Sequence, residues 1–252
     1  MHSRVLPRLL LACCCLLQAA PLAARELLAI GTGFPRVFEQ QAAGGYGGLA
    51  TSVLREALEP LGYRLRFELH PWARAQHMVE HGQGDILIGP YKNAEREARF
   101  AFSARPFYRD HIVFYRQRGR LLYWHGDYQE LLGRRIGVVR AWAYGARFDS
   151  RRGQLELVTV EGVENGIKML GAGRLDLLAS NQRNTRPVLL ALGLNDEIEQ
   201  LESQIDLQDG YFAFPRQDSH RALREDLDRA LQLLIEQGRL AQLAREWQVE
   251  IP

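Results

Sequence analysis

Short apolar runs alternate along the chain with apolar positions at helical spacing. Residues 27–31, 63–69 and 85–89 have the pattern of short buried strands. A helix of about 73–81 precedes the third run, and another is predicted from the spacing of Val53, Leu54, Ala57, Leu58 and Leu61. The order strand, helix, strand, helix, strand with short connections predicts parallel pairing, with helices packed on the sheet.

A second set of such elements begins after residue 120, with strands predicted at 135–139, 155–160 and 175–179. Apolar runs at 111–115 and 211–215 stand between the sets and after the second. A helical stretch over 220–247, with a break at Gly238, follows. The pattern predicts an α/β fold of two lobes with a cleft between them, a common place for a small-molecule site. The alternative is one continuous doubly wound sheet.

The first 24 residues have the features of a signal peptide. Arg4 and Arg8 precede an apolar run at 9–17, and Ala23 and Ala24 are small residues of the kind found at a cleavage site. The run is too short to span a bilayer, which argues against a membrane anchor. A lipoprotein is a second alternative, because the residues before Cys13 are similar to a lipobox.

The composition argues against several kinds of binding site and reaction. All three cysteines, Cys13 to Cys15, lie in this leader, so the exported chain has no thiol for a disulfide, a nucleophile or a metal. The formal net charge of +2 argues against a nucleic-acid partner. His77 and His81 lie four residues apart without an evident third ligand, so we expect no metal. Phosphate-binding, dinucleotide-binding and nucleophile-elbow motifs are missing, so we expect no cofactor.

Several motifs occur in an order typical of one family. Residues 82–108 contain a Gly-x-Asp strand, then Asn93-Ala-Glu95-Arg96, then Phe-Ser at 102–103 and Pro106. Further matching stretches stand at 132–139, 171–176 and 238–247. The chain resembles bacterial extracellular solute-binding proteins of family 3, which serve polar amino-acid ABC transporters in the periplasm.

The resemblance implies a type II-like periplasmic binding protein fold, with two α/β lobes joined by two hinge strands that close on a ligand. Residues 1–24 would be the signal peptide, 25–115 and 211–252 the first lobe, and 116–210 the second. It implies a non-catalytic, periplasmic, monomeric protein that captures a small carboxylate-bearing solute, an amino acid or a related compound, for an inner-membrane ABC-type permease.

Arg96 is the leading site residue. Its counterpart in the family grips the ligand carboxylate, and a guanidinium fork can pair two oxygens at once. Asn93 is expected to cap the helix that carries Arg96. Gly89 and Tyr91 would lie beside it, with Gly89 allowing close backbone approach. The alternative is that Arg96 is one more surface arginine.

Aromatic residues are expected to wall the same pocket. Trp72 follows Pro71 where relatives have an apolar wall, although a core position is equally open for it. Phe34 and Phe38 both lie after the first strand, where the family has an aromatic lid, and the choice between them stays open.

The second lobe departs from the family pattern. Relatives have Gly-Thr/Ser-Thr/Ser after the opening strand, whereas this chain has Ala-Trp-Ala-Tyr at 141–144, next to Arg140. Asn181 stands where relatives have the aspartate that neutralises a ligand ammonium, and an amide carries no charge. We therefore expect a carboxylate ligand with a flat or apolar part against Trp142, Trp72 and Tyr144, rather than a polar amino acid.

Three further interpretations stay open. Arginines near Arg140 could form a polyanion site, although a solvated face is the simpler interpretation. These arginines are Arg134, Arg135, Arg147, Arg151 and Arg152. Some relatives resemble cyclohexadienyl dehydratases, for which Asp110, Glu161 or Glu164 could supply an acid. The third interpretation is a domain that binds a ligand and signals through a membrane receptor.

Overall fold

The computed structural model describes residues 25–252. The predicted signal peptide and its three cysteines lie outside the described residues. The strands are β1 (Glu26–Gly31), β2 (Glu39–Gln40), β3 (Tyr46–Gly47), β4 (Arg64–Leu69), β5 (Ile86–Tyr91), β6 (Phe100–Phe102), β7 (Tyr108–Gln117), β8 (Ile136–Val139), β9 (Leu157–Val160), β10 (Leu177–Asn181) and β11 (Ile198–Pro215). The α-helices are α1 (Leu49–Leu58), α2 (Trp72–Glu80), α3 (Ala94–Arg99), α4 (Ala146–Asp149), α5 (Val163–Gly171), α6 (Gln182–Leu192), α7 (Arg221–Glu236) and α8 (Arg239–Trp247).

The main sheet has two parallel halves on either side of two crossing strands. Its order is β4-β1-β5-β11-β7-β10-β8-β9, with β6 added beside β11. β1 pairs in parallel with β4 and β5, and β8 does the same with β9 and β10. The central strands β7 and β11 pair antiparallel with each other and with the halves they border. This confirms the predicted two-lobed α/β class rather than a doubly wound parallel sheet.

β11 is the main element that the sequence pattern did not predict in full. A strand was expected only at 211–215, but β11 has 18 residues and runs from Ile198. Its register with β7 shifts between Gln200 and Gln204 and again before Asp206, which breaks the two-residue alternation. The predicted lobe boundaries at 115/116 and 210/211 fall within β7 and β11 and remain a prediction.

Glycines stand at the ends of several helices. Gly62 follows α1 and its short 3₁₀ extension with φ 86°, and Gly193 ends α6 with φ 67°. Gly238 separates α7 from α8 with φ 70°, so the predicted break in the C-terminal helix is confirmed. In each case the left-handed backbone conformation is one that glycine adopts without the penalty of a Cβ.

Apolar side chains are buried on both faces of the sheet. Leu27 and Ile30 of β1 are fully buried, as are Leu54 of α1 and Leu227 of α7, which pack over the first half. A smaller cluster beneath α5 includes Ile167, Leu170, Leu175 and Leu178. Within residues 25–252, no helix is long and apolar enough to cross a membrane.

Replacing Gly210 with alanine should destabilise the crossing strands. A Cβ at Gly210 would lie 1.7 Å from Cε1 of Tyr108, which is fully buried and so has little room to move. We expect a loss of about 1–3 kcal/mol in the free energy of unfolding, measured in urea. Gly153→Ala is the control, because a Cβ there meets nothing within 4 Å. An equal effect of the two substitutions would contradict this account of the strand crossing.

Candidate functional site

Arg96 is held at the start of α3, beside the end of β5. The side chain of Asn93 caps this helix, with Oδ1 accepting a hydrogen bond from the Arg96 backbone N–H at 2.8 Å, as predicted. The guanidinium turns into the protein, where Nη1 donates to the Tyr91 carbonyl at 2.9 Å. Only 4% of Arg96 is exposed, so it is not a surface arginine.

Two groups of the first lobe donate to one carbonyl of the second. Nη2 of Arg96 donates to the Ala141 carbonyl at 2.9 Å, and Nε1 of Trp72 donates to the same oxygen at 3.1 Å. Ala141 lies in the loop after β8 and has φ 60°. A left-handed backbone costs a non-glycine residue about 1–2 kcal/mol, so the surrounding contacts must hold this loop in place.

The charge of Arg96 has no acidic partner within the described residues. Its hydrogen bonds go to neutral carbonyl oxygens, and residues 25–252 provide no carboxylate within salt-bridge distance. Burial lowers the pKa of Arg96 to about 10, so the group still carries its charge at neutral pH. A buried guanidinium without a salt-bridge partner is a strong site for an anion.

Aromatic rings surround the guanidinium. The ring of Trp72 lies 5.7 Å from the Arg96 guanidinium carbon, and Phe34 packs edge-on against Trp72 with ring centres 5.5 Å apart. Trp142 approaches Phe34 from the second lobe, with ring centres 6.4 Å apart. A cavity of only about 10 Å³ remains, lined by Phe34, Trp72, Gly89, Tyr91, Arg96, Trp142 and Ala143. That volume fits about one water molecule.

A larger cavity of about 310 Å³ adjoins this space and shares Trp72 and Trp142 with it. Both lobes line it, through Thr32 and Pro35 on one side and Val163 on the other. Arg140 lies at its edge and pairs with Glu161, with Nη2 2.5 Å from Oε1, and both side chains are largely exposed. The volume falls within the range of small-molecule pockets, which begins at roughly 300 Å³.

A buried polar network ties the crossing strand β7 to both lobes. Asp110 accepts two hydrogen bonds from Arg183, at 2.9 and 2.6 Å, and one from the Tyr91 hydroxyl at 2.7 Å. Asn181 donates to the same hydroxyl at 3.1 Å, and Arg183 also donates to the Pro35 carbonyl at 2.8 Å. Burial beside Asp110 raises the pKa of the Tyr91 phenol well above its usual value, so the hydroxyl stays a donor.

The family model for bacterial extracellular solute-binding proteins, family 3, matches residues 29–250. This chain belongs to that family. No match was found among curated proteins.

Solved structures share the fold of this solute-binding protein at low sequence identity. A histidine kinase sensor domain with similarity to periplasmic binding proteins superposes with a TM-score of 0.80 at 18% identity, over 91% of this chain and 99% of that one. An arginine-binding protein from T. maritima gives 0.74 at 19% identity, over 88% and 94%. A histidine-bound substrate-binding protein of an ABC uptake transporter from Streptococcus pneumoniae gives 0.73 at 16%, over 88% and 92%.

Two of the expected pocket residues of this solute-binding protein lie in the hydrophobic core. Phe38 is fully buried against Tyr46 and Phe67, whereas Phe34 lines the small cavity. Tyr144 is fully buried against Phe148, and its hydroxyl accepts a hydrogen bond from the Val139 N–H at 2.6 Å. Neither Phe38 nor Tyr144 lines the two cavities beside Arg96.

The sequence did not identify three residues that make contacts at the site, namely Asp110, Arg183 and Ala141. Asp110 stood out only as a carboxylate, and Arg183 is one of many arginines. The one signal for Arg183 is its position just after β10, where the carboxyl end of a strand borders the cleft. Ala141 contributes through its backbone carbonyl, and the residue type alone does not predict where that carbonyl points.

The arginines near Arg140 do not converge on one site. Arg135 pairs with Asp176, and Arg152 pairs with Asp149. Arg147 donates instead to the Gly126 carbonyl and Arg151 to Gln154. These separate partners are expected of a solvated face. His77 and His81 stack with ring centres 4.0 Å apart, and residues 25–252 contain no group of three or more side chains arranged to hold a metal.

Removing the charge of Asp110 should destabilise the protein strongly. Asp110→Asn leaves Arg183 buried without its counter-charge, which costs about 3–5 kcal/mol, measured by urea unfolding. Glu161→Gln breaks an exposed arginine–carboxylate pair and is the matched control, with an expected loss below about 1 kcal/mol. If both substitutions cost the same, the buried network does not have the role described here.

Proposed function

We propose that this protein captures a small carboxylate-bearing solute in the cleft and holds the carboxylate at Arg96. The observation that carries the proposal is the burial of Arg96 with neutral partners only. A carboxylate would supply the missing negative charge and accept hydrogen bonds from the guanidinium. The capping of α3 by Asn93 fixes the backbone of Arg96, and the hydrogen bond to the Tyr91 carbonyl holds its guanidinium, so little order has to be gained on binding.

The solute we propose lacks an α-ammonium group. The lining of the small cavity contains no carboxylate, and Asn181, at the position of the family's aspartate, is already engaged with Asn184 and Tyr91. Asp110 lies nearby, but its charge is matched by Arg183. An ammonium would therefore lose its hydration without gaining a counter-ion, which is costly.

The remainder of the solute is proposed to occupy the 310 Å³ cavity beyond Trp72 and Trp142. Its walls include Pro35, Val139 and Val188, which favour an apolar or flat group. The charged groups in the lining are paired, Glu161 with Arg140 and Glu164 with Lys168, so they place no charge requirement on that group.

We propose a binding role without catalysis. The three carboxylates considered as an acid are all held by cations: Asp110 by Arg183, Glu161 by Arg140 and Glu164 by Lys168. Pairing with Arg140 lowers the pKa of Glu161, which disfavours the protonated form that a general acid needs.

We further propose that the protein acts as a periplasmic monomer that delivers its solute to an ABC-type permease. The support is membership of an extracellular solute-binding family and likeness to substrate-binding proteins of ABC uptake transporters. A sensing role is the second candidate, supported by the fold likeness to a histidine kinase sensor domain. Copurification from membranes with a permease or with a receptor separates the two.

A thermal-shift screen of acids against their amides tests the proposal. Benzoate and other acids without an ammonium group should raise the melting temperature, and benzamide should not, because only the acid supplies a negative charge. Arg96→Gln should weaken binding of the acid by about tenfold to a hundredfold, or roughly 1.4–2.8 kcal/mol. Arg245→Gln, on the exposed surface of α8, is the matched control and should bind as the natural protein does.

Strong stabilisation by lysine, histidine or glutamine, with none by other acids, would overturn the proposed solute class. Binding that survives in Arg96→Gln would overturn the proposed position of the carboxylate.

Incubation with prephenate or arogenate tests the binding-only role. Mass spectrometry should recover both compounds unchanged, because the three carboxylates considered as the acid, all within residues 25–252, are paired with cations. Loss of water and carbon dioxide from either compound that depends on the protein would show catalysis.

A further inference from the structure

The loop after β8 crosses the cleft with its backbone. The Ala141 carbonyl accepts hydrogen bonds from Nε1 of Trp72 and Nη2 of Arg96, which belong to the opposite lobe. We call these two donors the two-donor site. Both donors aim at one oxygen atom, at 3.1 and 2.9 Å, an arrangement that also suits one oxygen of a carboxylate.

The second lobe holds this loop firmly. The Trp142 N–H donates to the Val139 carbonyl at 3.1 Å, and the Trp142 carbonyl accepts from Arg152 at 2.9 Å. The Tyr144 hydroxyl, fully buried, accepts from the Val139 N–H at the end of β8. These contacts keep Ala141 in its left-handed conformation and point its carbonyl across the cleft.

We propose that the Ala141 carbonyl is a built-in competitor of the solute, and that Trp72 Nε1 and Arg96 Nη2 are the donors for the anionic oxygen that displaces it. The inference rests on the proposed function, because it assigns the regulation of the same site. It gives Trp72 a hydrogen-bonding role in addition to its place in the pocket wall.

The competition selects for charge. A carboxylate oxygen forms stronger hydrogen bonds than a neutral carbonyl and also neutralises Arg96. An amide or ester oxygen offers the two donors no more than the Ala141 carbonyl already does. Neutral analogues of the solute therefore have no advantage over the loop, whereas acids do.

The contact also helps to hold the lobes together before a solute arrives. The donors are satisfied by the chain itself. Further hydrogen bonds cross between the lobes, from Asn181 to Tyr91 and from Arg183 to Pro35 and Asp110. A closed arrangement is thus supported by groups of the protein alone. Entry of a solute then requires the loop to withdraw from the two-donor site.

Spin-label distances test this inference without any solute. Residues 25–252 contain no cysteine, so labels at Arg74→Cys on α2 and Lys168→Cys on α5, both exposed and on opposite sides of the cleft, are specific in the exported chain. We expect mainly one short distance. Ala141→Val disfavours the left-handed backbone, and Trp72→Phe removes one donor but keeps a ring; each should raise the ratio of open to closed molecules about fivefold to tenfold.

Matched variants complete the test. Ala141→Gly favours the left-handed backbone and should keep the short distance. Gln248→Gly relieves a similar backbone, φ 51°, at the end of α8 and should change nothing. A long distance in the natural protein, or an unchanged distance in Ala141→Val, Trp72→Phe and their double variant, would overturn the inference. Either result leaves the proposed function standing, because that depends on the separate comparison of acids with amides.

Discussion

A buried guanidinium whose hydrogen bonds go only to neutral oxygens is the constraint on which the cleft depends. Arg96 keeps its charge despite burial, and the Tyr91 and Ala141 carbonyls satisfy its hydrogen bonds without neutralising it. Charge burial of this kind costs stability unless an anion compensates it. The position of the loop after β8, the role proposed for Trp72 and the proposed preference for an acid all follow from this one group.

The same region also contains a buried arginine that does have a carboxylate partner. Asp110 and Arg183 form a two-hydrogen-bond pair at the crossing strand, with Tyr91 donating to the pair and Asn181 donating to Tyr91. This network engages Asp110 and Asn181, the buried polar groups near Arg96 that could otherwise receive an ammonium. The cleft therefore contains one buried charge with a counter-charge and one without, and we propose that this difference separates acids from zwitterions.

The capped turn that carries Arg96 was predictable from the sequence. Arg96 stands at a fixed distance from Asn93 and from the Phe-Ser pair, and a capped turn needs few tertiary contacts. Phe34 and Phe38 could not be distinguished, since the turn between them decides which ring faces the cleft. The first part of β11 was missed because its buried residues, Ile198, Leu201 and Ile205, are spaced by three and four. The contact of Ala141 depends on a backbone angle that residue type does not predict.

The indole N–H signal of Trp72 in a ¹H–¹⁵N spectrum tests the central claim most directly. Trp142 is the comparison within the same spectrum, because its indole nitrogen has no hydrogen bond within residues 25–252. Before a solute is added, the Trp72 signal should exchange slowly with water, and benzoate, but not benzamide, should shift it. A Trp72 signal that exchanges as fast as that of Trp142, and that no acid shifts, would contradict the account.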